Sequence, residues 1–282
     1  MTFIFEINQQ MECKIITVLM YAILAGVSIG FGGLLFSLTK WGAYELNKRY
    51  NTDDWALVGQ IVGSCVFSVG LLLVCWLKLM LFTGKVGLMF EGNQDAFYFV
   101  SLLIMLVFNV VGAVCVGLLS NWIFGRFAGY NEVMKTISTT KAKFEDPEAF
   151  VKCFINSLLC GMCVHLAVRG FNSCETGYEK NIIVVWFVAV FVYNGFEHCI
   201  ANSFYFACAH LLTRDVIINI VLAIIGNWFG TLPTSILTTK LKPITNTTNN
   251  NNNHVSDESS SDDDSDESSS TSSNDVIYGY NV

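Results

Sequence analysis

The 282-residue sequence is 53% apolar and only 14% charged, with a mean hydropathy of +0.50. That balance excludes an ordinary soluble domain and points to an integral, multi-pass membrane protein with the lipid bilayer as its main partner. The formal charge of −7 misleads as an average, because eight acidic residues and no Lys or Arg follow Lys242, leaving 16 basic against 15 acidic residues in 1–242; nothing in it implies a nucleic-acid partner.

A helical crossing takes about 20 apolar residues. Residues 1–14 form a short N-terminal segment whose Glu6, Glu12 and Lys14 lack the basic start of a cleavable signal, so 15–38 reads as a retained first helix. Further crossings are predicted over 56–77, 98–125, 153–168, 182–212 and 215–239, which makes 15–242 an all-α, six-helix transmembrane domain with both termini on one face. Residues 243–282 pass from an Asn/Thr tract to SDESSSDDDSDESSS, a composition that cannot repay ordering and reads as a disordered tail, its serines open to phosphorylation. The ten cysteines fall mostly inside the spans and read as packing residues, the Cys160-x-x-Cys163 pair included.

Two predicted spans are interrupted. The second is broken after Leu77 by Lys78 and then by Thr83, Gly84, Lys85 and Gly87, and the fifth by the run Asn194–Asn202, which holds Gly195, Glu197 and His198. Irregular backbone survives at bilayer depth only where it is buried in protein or lines a cavity. Paired interruptions in the two halves therefore point to a central permeation or binding site. The halves echo each other again in Asn109-x-x-Gly112 and Asn227-x-x-Gly230, so an inverted 3+3 repeat is expected. Gly26/Gly30 and Gly226/Gly230 have the small-xxx-small spacing of close helix contacts.

An ionisable group near mid-bilayer costs about 2.5–3.5 kcal/mol on insertion scales, so Glu197 and His198 call for a function. On a continuous helix Asn194, His198 and Asn202 would share a face, and Gly195 would permit a break before the pair. His165, alone on an apolar span, reads as a satisfied core histidine. No second His or Cys stands at ligand spacing from His198, so no metal and no cofactor are expected. No Ser/His/Asp set, P-loop or Gly-rich nucleotide fingerprint is present, which argues against an enzyme. None of Pro147, Pro233 and Pro243 follows an Asn, which excludes the paired Asn-Pro-Ala signature of aquaporins.

Gly195-Phe-Glu-His-Cys-Ile-Ala-Asn202-Ser-Phe204, Phe67-Ser-Val-Gly-Leu71, Leu81-Phe-Thr-Gly84, Ala25-Gly26, Asn109-x-x-Gly112 and Gly226-Asn227-x-x-Gly230 together resemble the formate/nitrite transporter family over nearly all of 15–240. The resemblance implies an aquaporin-like fold, a homopentamer with one pore per protomer, and passage of small monoanions of weak acids (formate, acetate, lactate or nitrite) with protons. It implies an outer constriction of Phe67, Leu71 and Phe191, an inner one of Leu81, Phe82 and Cys160, His198 between them in reach of Thr83, and Lys141 in the outer vestibule. Glu197 and Asn202 fall within the central motif, and the helix breaks fall at Gly84, Lys85, Asn194 and Gly195. Three departures bear on vestibule charge. Lys78-Leu79-Met80 replaces the family's Gly-Ala-Glu, Ser157 replaces a fourth-helix Asn that finds its nearest equivalent in Asn156, and the inner-vestibule lysine expected near Thr17 is missing, with Lys14 about one turn away.

Lys and Arg number nine on the face opposite the termini and six on the termini face, a count that favours external termini. The family resemblance implies cytosolic termini, in the plasma membrane or an intracellular one, and, spanning many motifs, it outweighs a three-charge bias; glycosylation of the sequon Asn246-Thr-Thr would overturn it. Two other readings are a non-transporting sensor or scaffold acting through the acidic tail, and a channel for small neutral solutes. The sensor requires the tail for function, whereas the transporter predicts that deleting 243–282 leaves flux largely intact.

Overall fold

Among the residues that the computed structural model describes, namely the backbone of 2–90 and 96–240 and the side chains of 16–90 and 97–237, there are only helices and their connections. They are α1 (Thr2–Tyr50), α2 (Asp54–Trp76), α3 (Phe82–Lys85) continued by a 3-10 helix (Val86–Phe90), α4 (Ala96–Phe124), α5 (Ala128–Lys141), α6 (Pro147–Ser173), α7 (Gly177–Tyr193), α8 (Cys199–Cys208), α9 (Arg214–Gly230) and α10 (Leu232–Lys240). A helix satisfies its own backbone, which is why long apolar runs take this form in lipid. Their starts are written locally: Asp146 caps α6 by accepting from the Ala149 N–H at 2.8 Å with Pro147 in the first turn, and Thr176 and Glu179 close a capping box on α7.

Five stretches within these helices, Ile16–Tyr50, Asp54–Trp76, Phe97–Phe124, Pro147–Ser173 and Arg214–Leu237, are long and apolar enough to cross a bilayer. The span expected over 182–212 is divided between α7 and α8, which are joined by five non-helical residues. α1 runs without a break through the expected boundary at residue 14, and what the sequence predicts for the Lys14 side chain and for the tail 243–282 lies outside the described residues. The helix α5 was not anticipated, since its polar sequence gives no hydropathy signal.

The two halves pack alike. α1 lies against α2 and α4 as α6 lies against α7 and α9, and the halves join where α2 meets α7 and α4 meets α8. The contacts are close enough to require glycine. A Cβ on Gly26 would stand 2.0 Å from the Asn109 carbonyl oxygen, and one on Gly161 2.2 Å from that of Asn227. Gly112 and Gly230 make the reciprocal approaches, to the carbonyl oxygens of Ile23 and Leu158. Small residues are what let helix backbones approach this closely inside a membrane.

Both interruptions begin with the same terminator. α2 ends with Lys78 at φ +53°, its N–H donating to Cys75 O and the Leu79 N–H donating to Val74 O at 2.8 Å. α7 ends with Gly195 at φ +68°, its N–H donating to Val192 O and the Phe196 N–H donating to Phe191 O at 2.9 Å. These are Schellman motifs, whose left-handed residue is usually glycine. Glycine occupies the position in the second half, whereas in the first half a lysine does, at a conformational cost of about 1–2 kcal/mol. The break in the first half therefore lies at Leu77–Leu81, starting where the sequence placed it, after Leu77, but ending before Thr83–Gly87, which were also expected to interrupt the helix. Gly84 and Lys85, expected to break the helix, are helical residues of α3.

Candidate functional site

The chain restarts after each break on an asparagine clamp. Asn109 of α4 accepts from the Phe82 N–H through Oδ1 at 2.8 Å and donates through Nδ2 to Met80 O at 2.9 Å and Ala22 O at 2.7 Å. Asn227 of α9 accepts from the Cys199 N–H at 3.0 Å and donates to Glu197 O and Ser157 O, both at 2.8 Å. Both side chains are fully buried. In each half one amide thus bridges the residues on either side of a helix N-cap and ties them to a neighbouring helix. Leu81 and His198 are the two N-cap residues so framed, and they occupy equivalent positions in the halves.

His198 caps α8 by accepting the Ala201 N–H on Nδ1 at 3.1 Å. That bond leaves Nδ1 without a proton and assigns the ring as the Nε2–H tautomer. Nε2 lies 3.1 Å from Oγ1 of Thr83, in the first turn of α3, so the imidazole donates and the hydroxyl proton is left to point elsewhere. The ring is 2% exposed and lies nearly parallel to Phe191, centroids 5.8 Å apart, with Phe191 edge-on to Phe67 at 5.8 Å. Phe67, Leu71, Phe191, Leu81, Phe82, Cys160 and Thr83 are all buried. The Thr83–His198 contact is thus a polar pair set in apolar side chains.

A cavity opens on either side of this pair. One, of about 550 Å³, is lined by Phe191, Gly195, Glu197, His198, Asn202 and Lys141, with Lys40 and Gln60 on its rim. The other, of about 340 Å³, is lined by Leu79, Leu81, Gly84 and Lys85 with Lys78, His165 and Arg169. Chain order puts the first on the face away from the termini and the second on the termini face. No group of three or more His, Cys, Asp or Glu that could hold a metal is found among the described residues.

Several predicted residues take other places than their sequence positions suggested. Asn194, His198 and Asn202 share no helical face: Asn194 terminates α7 and donates to Val190 O, His198 turns toward Thr83, and Asn202 joins a separate network. Lys141, at the end of α5, forms an ion pair of 3.0 Å with Glu197 and also donates to Gly195 O at 3.2 Å, its side chain only 12% exposed. Asn202 and Asn219 donate to the same Glu197 oxygen at 2.5 and 3.2 Å, and Asn202 also donates to Asn219 Oδ1 at 2.8 Å. The vestibule lysine is therefore neutralised by the carboxylate that sequence reasoning had placed at the central site. Asn219 was missed, although an amide in the apolar run of α9 is itself a signal. The echo of Asn109 and Asn227 was seen, but not their role as clamps.

Paired broken helices meeting tip to tip between two cavities in a helical membrane protein define a transmembrane channel or transporter. The chain belongs to the formate/nitrite transporter family, whose sequence model matches residues 3–241, a family of transport proteins, not of enzymes. It is 29% identical over 220 residues to the uncharacterized transporter YrhG of Bacillus subtilis (strain 168), covering 72% of this chain and 79% of that one. The same identity over the same length relates it to the formate channel BtFdhC of Bacillus thuringiensis, covering 72% and 80%. Among solved structures, a pentameric formate channel with formate bound superposes with a TM-score of 0.68 at 23% identity, covering 80% of this chain and 96% of that one.

Proposed function

We propose that this chain carries small monovalent weak-acid anions of the formate, acetate, lactate or nitrite class across a membrane together with a proton, one pore per protomer of a homopentamer with cytosolic termini. The observation that carries the reading is the buried Thr83–His198 pair between two cavities, walled by Phe67, Phe191 and Leu81. A bare anion entering such a wall meets an idealised desolvation cost on the order of 20 kcal/mol. One imidazole N–H offers a few kcal/mol in return. The neutral acid escapes most of that cost.

The vestibule geometry refines how the anion arrives. Lys141 is held by Glu197, so the pair presents a dipole rather than a free positive charge, and the anion is drawn by exposed parts of the Lys141 ammonium and by Lys40 on the cavity rim. As it moves inward the falling dielectric favours its protonated form. The acid then passes Phe191 and meets two groups: the His198 Nε2–H can donate to its carbonyl oxygen, and the Thr83 hydroxyl can serve its O–H. Because Nδ1 is occupied by the Ala201 N–H, a proton held on His198 would cost the α8 cap. In this reading bulk water supplies the proton and His198 supplies the hydrogen bond.

His198→Ala is expected to lower weak-acid uptake into proteoliposomes at least tenfold, about the 1.4 kcal/mol carried by one hydrogen bond in the pore. His198→Gln, which keeps a donor, is expected to retain more flux. Unchanged uptake in both would remove His198 from the pathway. A panel of weak acids and neutral solutes assayed at two pH values fixes the substrate class.

A further inference from the structure

A vestibule cation can hold an anion only with hydrogen-bond donors that the protein has not already taken. An ammonium carries three. Lys141 spends all of them inside the protein, on Gly195 O at 3.2 Å, Phe196 O at 3.5 Å and Glu197 Oε2 at 3.0 Å. The lysine that the family resemblance assigns to the outer vestibule therefore attracts an anion from a distance but has no N–H left to bind it.

Lys40 of α1 lines the same cavity of about 550 Å³ and is placed differently. It donates to Oε1 of Gln60 at 3.1 Å and takes part in none of the ion pairs formed among the described residues. Glu132, which lines the adjoining pocket of about 180 Å³ together with Lys40, accepts instead from the Tyr44 hydroxyl. Two of the three ammonium donors are thus left without a protein partner, on a side chain that is only partly exposed. Such a cation in a membrane protein needs water or an anion beside it. Gln60 is fixed as its acceptor: Nε2 donates to Val192 O at 3.3 Å and to Tyr193 O at 3.0 Å in the last turn of α7, which assigns the amide and turns Oε1 to Lys40. A neutral amide steers the Lys40 ammonium without cancelling its charge, whereas Lys141 is held by a carboxylate that does cancel it. Phe191 and His198 line this cavity as well, so an anion on Lys40 stands on the approach to the buried pair.

We propose that Lys40, positioned by Gln60, is the anion-binding group of this vestibule and takes small monoanions such as carboxylates and nitrite ahead of the constriction. Its effect on flux rests on the transport reading; the binding itself does not. A lysine is a point charge without the planar fork by which arginine matches a carboxylate. It therefore concentrates monoanions alike and leaves discrimination among them to the constriction.

The test compares uptake kinetics in proteoliposomes for the full native chain, Lys40→Gln, Lys40→Arg and the exchange variant that combines Lys40→Gln with Gln60→Lys. Lys40→Gln is expected to raise KM for formate and for acetate by the same factor, about threefold to tenfold, between the worth of an exposed ion pair and that of a buried charged hydrogen bond. Its kcat is expected to change less than KM. Lys40→Arg keeps the charge and is expected to stay within about twofold of the native KM. In the exchange variant the ammonium at position 60 can take over the donations to Val192 O and Tyr193 O and return a charge to the cavity, so part of the lost affinity is expected to come back. Binding is read apart from flux by acetylating the purified native chain with an N-hydroxysuccinimide ester and mapping the products by peptide mass spectrometry. Formate is expected to slow acetylation of Lys40 by about twofold at half-occupancy, and to leave the exposed Lys135 unaffected. Uptake by the native chain with Lys40 unprotected, and with KM unchanged in Lys40→Gln, overturns the anion site and leaves the transport reading. A loss confined to kcat, again without protection, marks Lys40 as structural and also overturns the site. If Lys40→Gln does not fold, the protection measured on the native chain decides. Protection of Lys40 in a native chain that takes up no weak acid leaves the anion site and overturns the transport reading.

Discussion

Replacing Asn227 by leucine is expected to abolish uptake and to leave little folded protein in detergent. The substitution keeps volume but strips partners from the Cys199 N–H and the Glu197 carbonyl at the buried start of α8, and removes the tie to Ser157 O of α6. Each buried orphan costs about 1–3 kcal/mol, so the loss exceeds about 3 kcal/mol even after relaxation. Asn227→Asp keeps an acceptor for Cys199 and loses both donated bonds, and it falls between the two. Asn109→Leu, which orphans the Phe82 N–H and Met80 O in the same way and removes the tie to Ala22 O of α1, is expected to behave like Asn227→Leu. Thermal melting followed by size-exclusion chromatography reads the effect. A melting curve for Asn227→Leu that overlays the native one would show that the clamps do not hold the broken helices.

The second large effect is at the vestibule. Lys141→Ala leaves the Glu197 carboxylate, 10% exposed, with only the amides of Asn202 and Asn219. Removing one member of a buried ion pair costs about 3–5 kcal/mol, and the low end applies here because both side chains line the cavity and keep some exposure. Lys141→Ala combined with Glu197→Gln removes the uncompensated charge and is expected to melt above Lys141→Ala alone. The coupling between the two changes should be about 0.5–3 kcal/mol. Strictly additive melting shifts would mean that the pair contributes no mutual stabilisation.

Much of this site is legible in the sequence because polar groups in apolar runs are costly. The run Asn194–Asn202 and the matched Asn109 and Asn227 stand out for that reason. What stays hidden has two causes. Hydropathy does not register backbone conformation, so the interruption read from Lys78 on through Thr83–Gly87 is in fact confined to Leu77–Leu81, where Lys78 adopts a positive φ and the helix restarts at Phe82. Composition also does not register pairing across the fold. Lys141 and Glu197 are 56 residues apart, and only the unanticipated helix α5 brings them together. Asn219 completes their network from a third segment, and its role depends on that meeting.

The proposed substrate crosses the Thr83–His198 pair as a neutral acid with its proton. Flux of formate into proteoliposomes, measured while membrane potential and pH gradient are imposed separately, tests it most directly. Moving a bare charge gains or loses about 2.3 kcal/mol per 100 mV, enough to change flux many-fold. Cotransport predicts uptake that follows the pH gradient, acidifies the lumen and does not change with potential. Uptake that follows the potential, carries current and ignores the pH gradient would contradict the account.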